Sequence, residues 1–573
     1  MRNMKKHSKG FSWLVSMALV LIFDSMGFAY GSSISGTVKE HSTALAVPWA
    51  SITVKGADTG LLAGAASTDA LGNFSVAIPA PGKYLILAAQ FGYLTMAAPE
   101  VIELSDAAPD QTVNLALSKE PLTPAQTPPA RTWGTGAGKS YLIPALEIPA
   151  FLTLLSLYDR HAFKDQTEGG VKVYSSTLST TWDHIRQEHW VIDQDPFSMN
   201  QLGHPYQGAT FHGFARSAGL NYWQALLYDN YGSYLWKMGG ETDEPSLNDQ
   251  IATGISGSFF GEVLFRMASL VLEGDGSEPG FFRKLGATAL SPPTMVNWFV
   301  FGDRFKSVFP SDDPAIFWRL QFGASLHSDL NDGGVTSTID KDQGSVRFTM
   351  AYGLPGQAGY SYTRPFDYFQ VEAAAIVNAA DTDEDILIRG LLLGTDYGSS
   401  DAYQGIWGLY GGYDYISPEI FRISSTSVSL GTTFQSWLSD TVALQGSLLG
   451  GMGFAAAGNI SPVGQRDYHY GFAPQGLLAL RLILGHRAMF DMTERFFDVT
   501  GAGGDDPGGS EVINRINMGF TLRIFGCHSL GIHYITSTRD ARYPDRPNSH
   551  QSIGTVALAY TLLGDTGFGA VND

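Results

Sequence analysis

Val512-Ile-Asn-Arg-Ile-Asn-Met-Gly-Phe-Thr-Leu-Arg-Ile524 decides the fold class of this 573-residue chain. Val512, Ile516, Met518, Phe520, Leu522 and Ile524 fall on one face, and Arg515, Asn517, Gly519, Thr521 and Arg523 on the other. A side-chain period of two is that of a β-strand with one apolar and one wet surface. A tilted strand of about ten residues crosses a hydrocarbon layer, so the stretch reads as one stave of a transmembrane β-barrel. A one-residue slip would turn Arg515 and Arg523 toward lipid, at about 2–4 kcal/mol each near the midplane. The apolar face is therefore the outer one.

Working outward, the same alternation gives twelve candidate strands, beginning near residues 317, 346, 368, 386, 405, 427, 442, 477, 487, 512, 529 and 554. Trp318, Leu320, Phe322, Ala324 and Leu326 face outward in the first, and Val556, Leu558, Tyr560 and Leu562 in the last. The inward face carries Arg319, Gln321, Arg347, Gln370, Glu372, Gln435, Gln445, Arg481, Asp491, Arg515, Asn517 and His533, so the lumen is wet or filled by a polar segment. An even strand count returns both barrel ends to one side of the membrane, as in single-chain bacterial barrels. Short turns such as Gly485-His486 and long polar connections such as 499–511 fit that topology. Trp407, Tyr410, Tyr413 and Trp437 read as interfacial girdle residues.

Met1 to about Gly31 reads as an export signal, with Arg2, Lys5, Lys6 and Lys9 before the apolar run Trp13–Phe23 and small residues up to Gly31. No later stretch of eighteen apolar residues lacks a charge, so helical membrane spans are not expected. An exported chain without such spans enters a bilayer as a closed barrel, which points to a bacterial outer membrane. Cys527 is the single cysteine and reads as part of a barrel strand, which excludes disulfides and thiolate clusters. A net charge of −19 excludes nucleic acid as a partner.

Residues 32–118 form an all-β unit by pattern, with strands at 34–38, 50–54, 73–76 and 84–87 between Gly, Pro and Asp turns. Thr68-Asp-Ala-Leu-Gly-Asn-Phe-Ser75, Pro81-Gly-Lys-Tyr84 and Phe91-Gly-Tyr93 resemble the carboxypeptidase regulatory-like domain, a small sandwich grouped with carbohydrate-binding-like folds. That resemblance implies a spacer or docking module in the periplasm, whose partner would be an envelope glycan or protein. The prolines of 119–135 mark an extended linker.

Residues 136–310 change period, with apolar and small residues at helical spacing in 145–158, 219–238 and 246–272. This block holds the densest set of unusual polar residues: Asp193, Asp195, Asn200, His204, Tyr206, Arg216, Asn248, Asp249, Glu262 and Arg266. On an ideal helix from Ser246, Asn248, Glu262 and Arg266 share one stripe, with Glu262 and Arg266 at pairing distance i to i+4. Gly254, Gly257 and Gly261 predict close approach of a second helix, with Gly232 on that partner. His204-Pro-Tyr-Gln-Gly208 and Pro245-Ser-Leu-Asn-Asp249 leading to Gly261-Glu262 resemble the bacterial family catalogued as domain of unknown function 3943, over residues 180–305. That resemblance implies a helical block coupled to an outer-membrane barrel and assigns no activity. Lys237 stands where relatives are expected to carry an acid.

Two chemistries compete for these side chains. Arg216, Asn248, Asp249, Glu262 and Arg266, with Asn200 and Tyr206, can form a buried network that orients the helices. Alternatively His204, Glu262, Asp193 and Asp195 converge as a hydrolytic centre with a divalent metal as its cofactor, although no tight ligand spacing is present. His184, His189 and His212 read as surface or network histidines. Gly134-Thr-Gly-Ala-Gly-Lys-Ser140 lacks the spacing of a phosphate loop.

The expected architecture is mainly β: an N-terminal Ig/transthyretin-like sandwich, a helical middle block and a C-terminal barrel of about twelve strands over 311–565. The expected role is an outer-membrane barrel protein of structural or ligand-binding function, partnered by outer-membrane lipid, with the helical block as a plug or periplasmic cap. A hydrolase acting on lipid or envelope substrates is the alternative, and a pore the third reading.

Overall fold

The computed structural model describes residues 32–118 and 139–571, except 42, 49, 60–61, 79, 90–95, 98–100, 106–107, 166, 169–170, 187–189, 194, 275–278, 302–308, 333, 340–343, 378–381, 401, 419, 460–465, 502–508 and 545–546. The export signal, the Pro-rich linker, the 91–93 phrase, His189, residues 134–138 and most of the 499–511 connection lie outside the described residues. The chain divides into two compact units, 1–129 and 130–573.

In the first unit, β1 (Ser32–Glu40), β2 (Ser51–Gly56), β3 (Leu62–Ser67), β4 (Asn73–Ile78), β5 (Gly82–Ala89), β6 (Met96–Ala97), β7 (Ile102–Leu104) and β8 (Asp110–Leu117) build two sheets. One has the order β4-β1-β8 and the other β3-β2-β5-β6, with β7 on β5. Alternate residues Ile34, Val38, Ile52, Val54, Val76 and Ile86 point between the sheets into one core with Leu115 and Leu117. β8 runs parallel to β1. Its pairing spans most of the unit and has no local signature in the sequence.

The second unit begins with α1 (Leu142–Ala162), the hairpin β9 (Thr167–Glu168) and β10 (Val171–Lys172), and α2 (Leu178–Arg186). A π-helical turn, Met199–Gly203, leads into α3 (His204–Ser217), followed by α4 (Tyr222–Gly239). α4 is started by a capping box in which Asn221 and Gln224 satisfy each other's backbone amides. α5 (Leu247–Glu273) is interrupted by a second π-turn at Ala252–Ser256. α6 (Phe281–Leu290) and α7 (Pro292–Val300) complete the block, α7 opening on prolines that need no helical amide partner.

The barrel comprises β11 (Ile316–Asp332), its short companion β12 (Val335–Ile339), β13 (Gly344–Tyr352), β14 (Phe369–Val377), β15 (Thr382–Ser400), β16 (Tyr403–Ser417), β17 (Phe421–Ser439), β18 (Val442–Asn459), β19 (Tyr468–Leu484), β20 (Ala488–Gly501), β21 (Ser510–Phe525), β22 (His528–Arg542) and β23 (Ser549–Leu563). Neighbours pair antiparallel in chain order, β12 extends the β11 hairpin, and β11 pairs with β23 to close a ring of twelve staves. Cys527 lies in the β21–β22 turn rather than on a strand.

The inward residues read from sequence do face the lumen, and they fill it. Arg319 pairs with Asp491 at 2.6 Å, Arg389 with Asp414 at 2.5 Å, Arg539 with Glu511 at 2.6 Å, and Arg495 and Arg515 clamp Asp385 at 2.6 and 2.7 Å. Arg347 pairs with Glu372, which also accepts from Asn517 at 3.1 Å, and Gln321 meets His533 at 2.8 Å. A cavity of about 40 Å³ is left beside Arg347, Asp385 and Arg515, room for a few waters.

At the short-turn mouth the chain's own end seals the opening. Phe568 and Val571 are buried there, and Gln435, Gln445 and Trp437 donate to the carbonyls of Val571, Gly569 and Val571. Tyr410 and Trp437, expected at the girdle, belong to this interior; Trp407 remains on the outside, half exposed.

Candidate functional site: the seam between helices and barrel

Strand parity fixes where the helical block sits. Trp407, Val428, Leu430, Leu448, Met452 and Phe472 are exposed on the outer wall. Tyr413, Tyr415, Thr426, Phe454, Tyr468 and Tyr470 lie on the same faces of the same strands, an even number of residues away, yet most of these aromatics are buried. What buries them is the block: Phe197, Leu202, Phe259 and Val263 pack on Met350, Tyr352, Phe369, Val371, Ile388, Tyr413, Tyr415, Tyr468 and Tyr470. Phe260 stacks on Tyr413, and a Cβ on Gly411 would strike the Phe259 ring. The block therefore packs against the outside of the barrel and is neither plug nor periplasmic cap. The lumen is already occupied by charged pairs, and an apolar helix face has no partner there.

The seam runs from rim to rim. At one end Asn248 donates to the Tyr470 hydroxyl at 2.8 Å, next to the β18–β19 connection. At the other, Arg266 reaches Asp367 at 3.1 Å and the Pro365 carbonyl at 2.7 Å in the β13–β14 connection, which lies on the opposite mouth. Between them Ser256 hydrogen-bonds Thr426. α3 and α5 approach at Gly208 and Gly257, where a Cβ on either would fall within 2.9 Å of the other's Cα. Gly208 is thus the partner predicted at Gly232, which instead lies beneath Phe211 of α3.

The sequence-predicted residues separate into two clusters, because fourteen positions along α5 put Glu262 about 21 Å from Asn248. The inner cluster centres on Glu262, which is fully buried. It accepts from Arg216 at 2.6 and 3.1 Å, from Arg266 at 2.8 Å, and contacts His212 at 3.0 Å. His212 bonds Asp229 at 2.7 Å through its other ring nitrogen. Arg216 and Arg266 both lie over the Phe309 ring at 5.0 Å. Every formal charge has an opposite neighbour, as burial of charge requires.

The rim cluster gathers Asp193, Asn200, His204, Asn248 and Asp249 with two residues outside the predicted set, Lys237 and Glu241. His204 lies 3.3 Å from Asp249, and Lys237 pairs with Asp249 and, at 2.6 Å, with Glu241. Asn248 and Asn200 donate to Asp193 at 3.2 and 2.6 Å, and the Asp193 and Asp249 carboxyls hydrogen-bond each other. His204 and Lys237 thus face Asp249, with Glu241 beside Lys237.

Asp195 and Tyr206 join neither centre. Asp195 meets Arg466 at 3.4 Å at the surface while its carbonyl accepts from Tyr468, and Tyr206 sets its ring edge-on to Phe260. The convergence of His204 with Glu262 expected of a hydrolytic centre is not formed: Glu262 is held by Arg216, Arg266 and His212, and His204 by Asp249. Among the described residues no three His, Cys, Asp or Glu side chains are grouped to hold a metal ion. The residues that sequence reasoning missed, Tyr468, Tyr470, Asp229 and Asp367, come from distant elements, whereas Lys237 and the network histidine His212 are singled out by the sequence.

Among solved structures the chain is similar to the translocator domain of autotransporter NalP from Neisseria meningitidis, at 13% identity over 43% of this chain and 88% of that one, TM-score 0.20. It is also similar to the Pseudomonas putida toluene transporter TodX, at 8% identity over 44% and 90%, TM-score 0.20, and to Pseudomonas aeruginosa OpdO, at 10% over 44% and 97%, TM-score 0.17. No curated protein matches the sequence. Residues 189–293 match the family model described as Domain of unknown function (DUF3943), and that segment holds every helical member of both charge clusters.

Proposed function

We propose that this chain is a bacterial outer-membrane protein of unassigned activity whose barrel is a non-conducting, membrane-spanning scaffold for the helical block. The observation that carries this reading is the pairing of an apolar exterior with a lumen occupied by Arg–carboxylate pairs and closed by the Phe568–Val571 tail. A closed ring of hydrogen-bonded strands suits hydrocarbon, and a filled interior suits a post better than a pore. Both charge clusters act as structural networks, the inner one locking α3, α4 and α5 to each other and to the barrel, the rim one tying α5 to β19.

The Thr68–Ser75 phrase supports reading residues 32–118 as a carboxypeptidase regulatory-like module. On the same reading it is exported with the chain and docks to envelope glycan or protein from the periplasm. The test is conductance: purified full-length protein in planar bilayers produces no stepwise currents. Steady open-channel currents would overturn the scaffold reading in favour of a pore.

A further inference from the structure

The helical block is polar inside and apolar outside. Its buried positions include Asp229, Lys237, Asp249, Glu262, Arg216 and Arg266. On α1 and α4 to α7 the exposed positions are of the opposite kind, while α2 also exposes Asp183 and Arg186. On α4 the exposed residues are Trp223, Leu227, Tyr231 and Tyr234, a stripe at helical spacing; on α5, Leu247 and Ile255; on α6, Phe281, Phe282, Leu285 and Ala289; on α7, Pro292, Val296, Phe299 and Val300. On α1 the exposed residues from Leu142 to Tyr158 are Leu, Ala, Thr and Tyr, and the charged Arg160 and His161 come only in the last turn.

Leu227 is 70% and Phe282 81% exposed, and water is a poor solvent for such a surface, at about 25 cal/mol per Å². An exposed apolar surface of this extent marks a contact with membrane or protein. By length and composition α1 and α5 could each cross a membrane; 21 residues of α1 make about 31 Å, the thickness of the hydrocarbon layer. α5 lies along the barrel wall from rim to rim, so the outer faces of the helices continue the apolar belt formed by Trp407, Leu430, Met452 and Phe472.

From this we infer that the helical block is embedded in the bilayer beside the barrel, with the outer faces of α1, α4, α6 and α7 in contact with lipid acyl chains. The buried charge clusters are then the polar interior of an intramembrane helix bundle. This inference rests on the outer-membrane reading of the barrel. It goes beyond it by placing helices in the hydrocarbon layer.

Site-directed spin labels test it. In a Cys527→Ser background, single cysteines replace Leu146, Leu227 and Phe282, with Trp407→Cys as the barrel-belt reference and Asp540→Cys as the aqueous one. The full chain is reconstituted in phospholipid vesicles, and collision with oxygen is compared with collision with a water-soluble nickel chelate. The expected result is an oxygen-to-nickel ratio at all three helix sites within twofold of that at Trp407, and several-fold above that at Asp540. If Trp407 reads as lipid-exposed while the helix sites match Asp540, the inference is overturned and the barrel reading stands. If the helix sites are shielded from both probes, a protein surface such as a second copy covers them and the inference is overturned. An aqueous reading at Trp407 overturns both.

Discussion

At the scale of single residues, Glu262 is where the most charge converges, with two guanidinium groups and an imidazole on one buried carboxylate. Glu262→Gln leaves Arg216 and Arg266 without their shared anion, and removal of one partner from a buried charge network costs about 3–5 kcal/mol. The urea midpoint of the variant in detergent is expected to fall accordingly; a change below about 1 kcal/mol would mean the cluster is solvated.

At the scale of elements, α3 and α5 touch through their glycines. A methyl group at Gly257 would fall 2.6 Å from the Gly208 Cα, against backbone that cannot swing away. Gly257→Ala should therefore destabilise by about 1–3 kcal/mol, while Gly450→Ala, with nothing within 4 Å, should be neutral by thermal unfolding. Equal effects at the two sites would argue against this helix contact.

The strands and their inward faces were legible because period-two alternation survives without an alignment, as in Arg319, Arg347, Asp491 and Arg515, but some starts were not, β19 being expected near 477 although it begins at Tyr468. The covering of Tyr413, Tyr468 and Tyr470 was not, because lipid and an apolar helix face select the same outward side chains. The split of Asn248 from Glu262 was readable, since fourteen positions of helix are about 21 Å long. The exposed apolar faces were concealed because the charges that argued against membrane helices point into the bundle.

At the scale of the whole molecule, strand parity, filled lumen and inside-out helices describe one arrangement. Polar groups are drawn into two separate interiors, the barrel lumen and the helix bundle, and apolar side chains cover what remains. The barrel interior is filled by salt bridges and by residues 568–571.

The account turns on which side of the barrel wall the helices occupy, and one oxidative cross-linking measurement reads that directly. With Cys527→Ser as background, Ser256→Cys is paired in turn with Thr426→Cys, which points outward, and with Ser425→Cys or Ser427→Cys, which point into the lumen. The account predicts rapid disulfide formation with position 426 alone, seen as a mobility shift in unboiled samples. Cross-linking to 425 or 427 in preference to 426 would place the helices inside the barrel and contradict it.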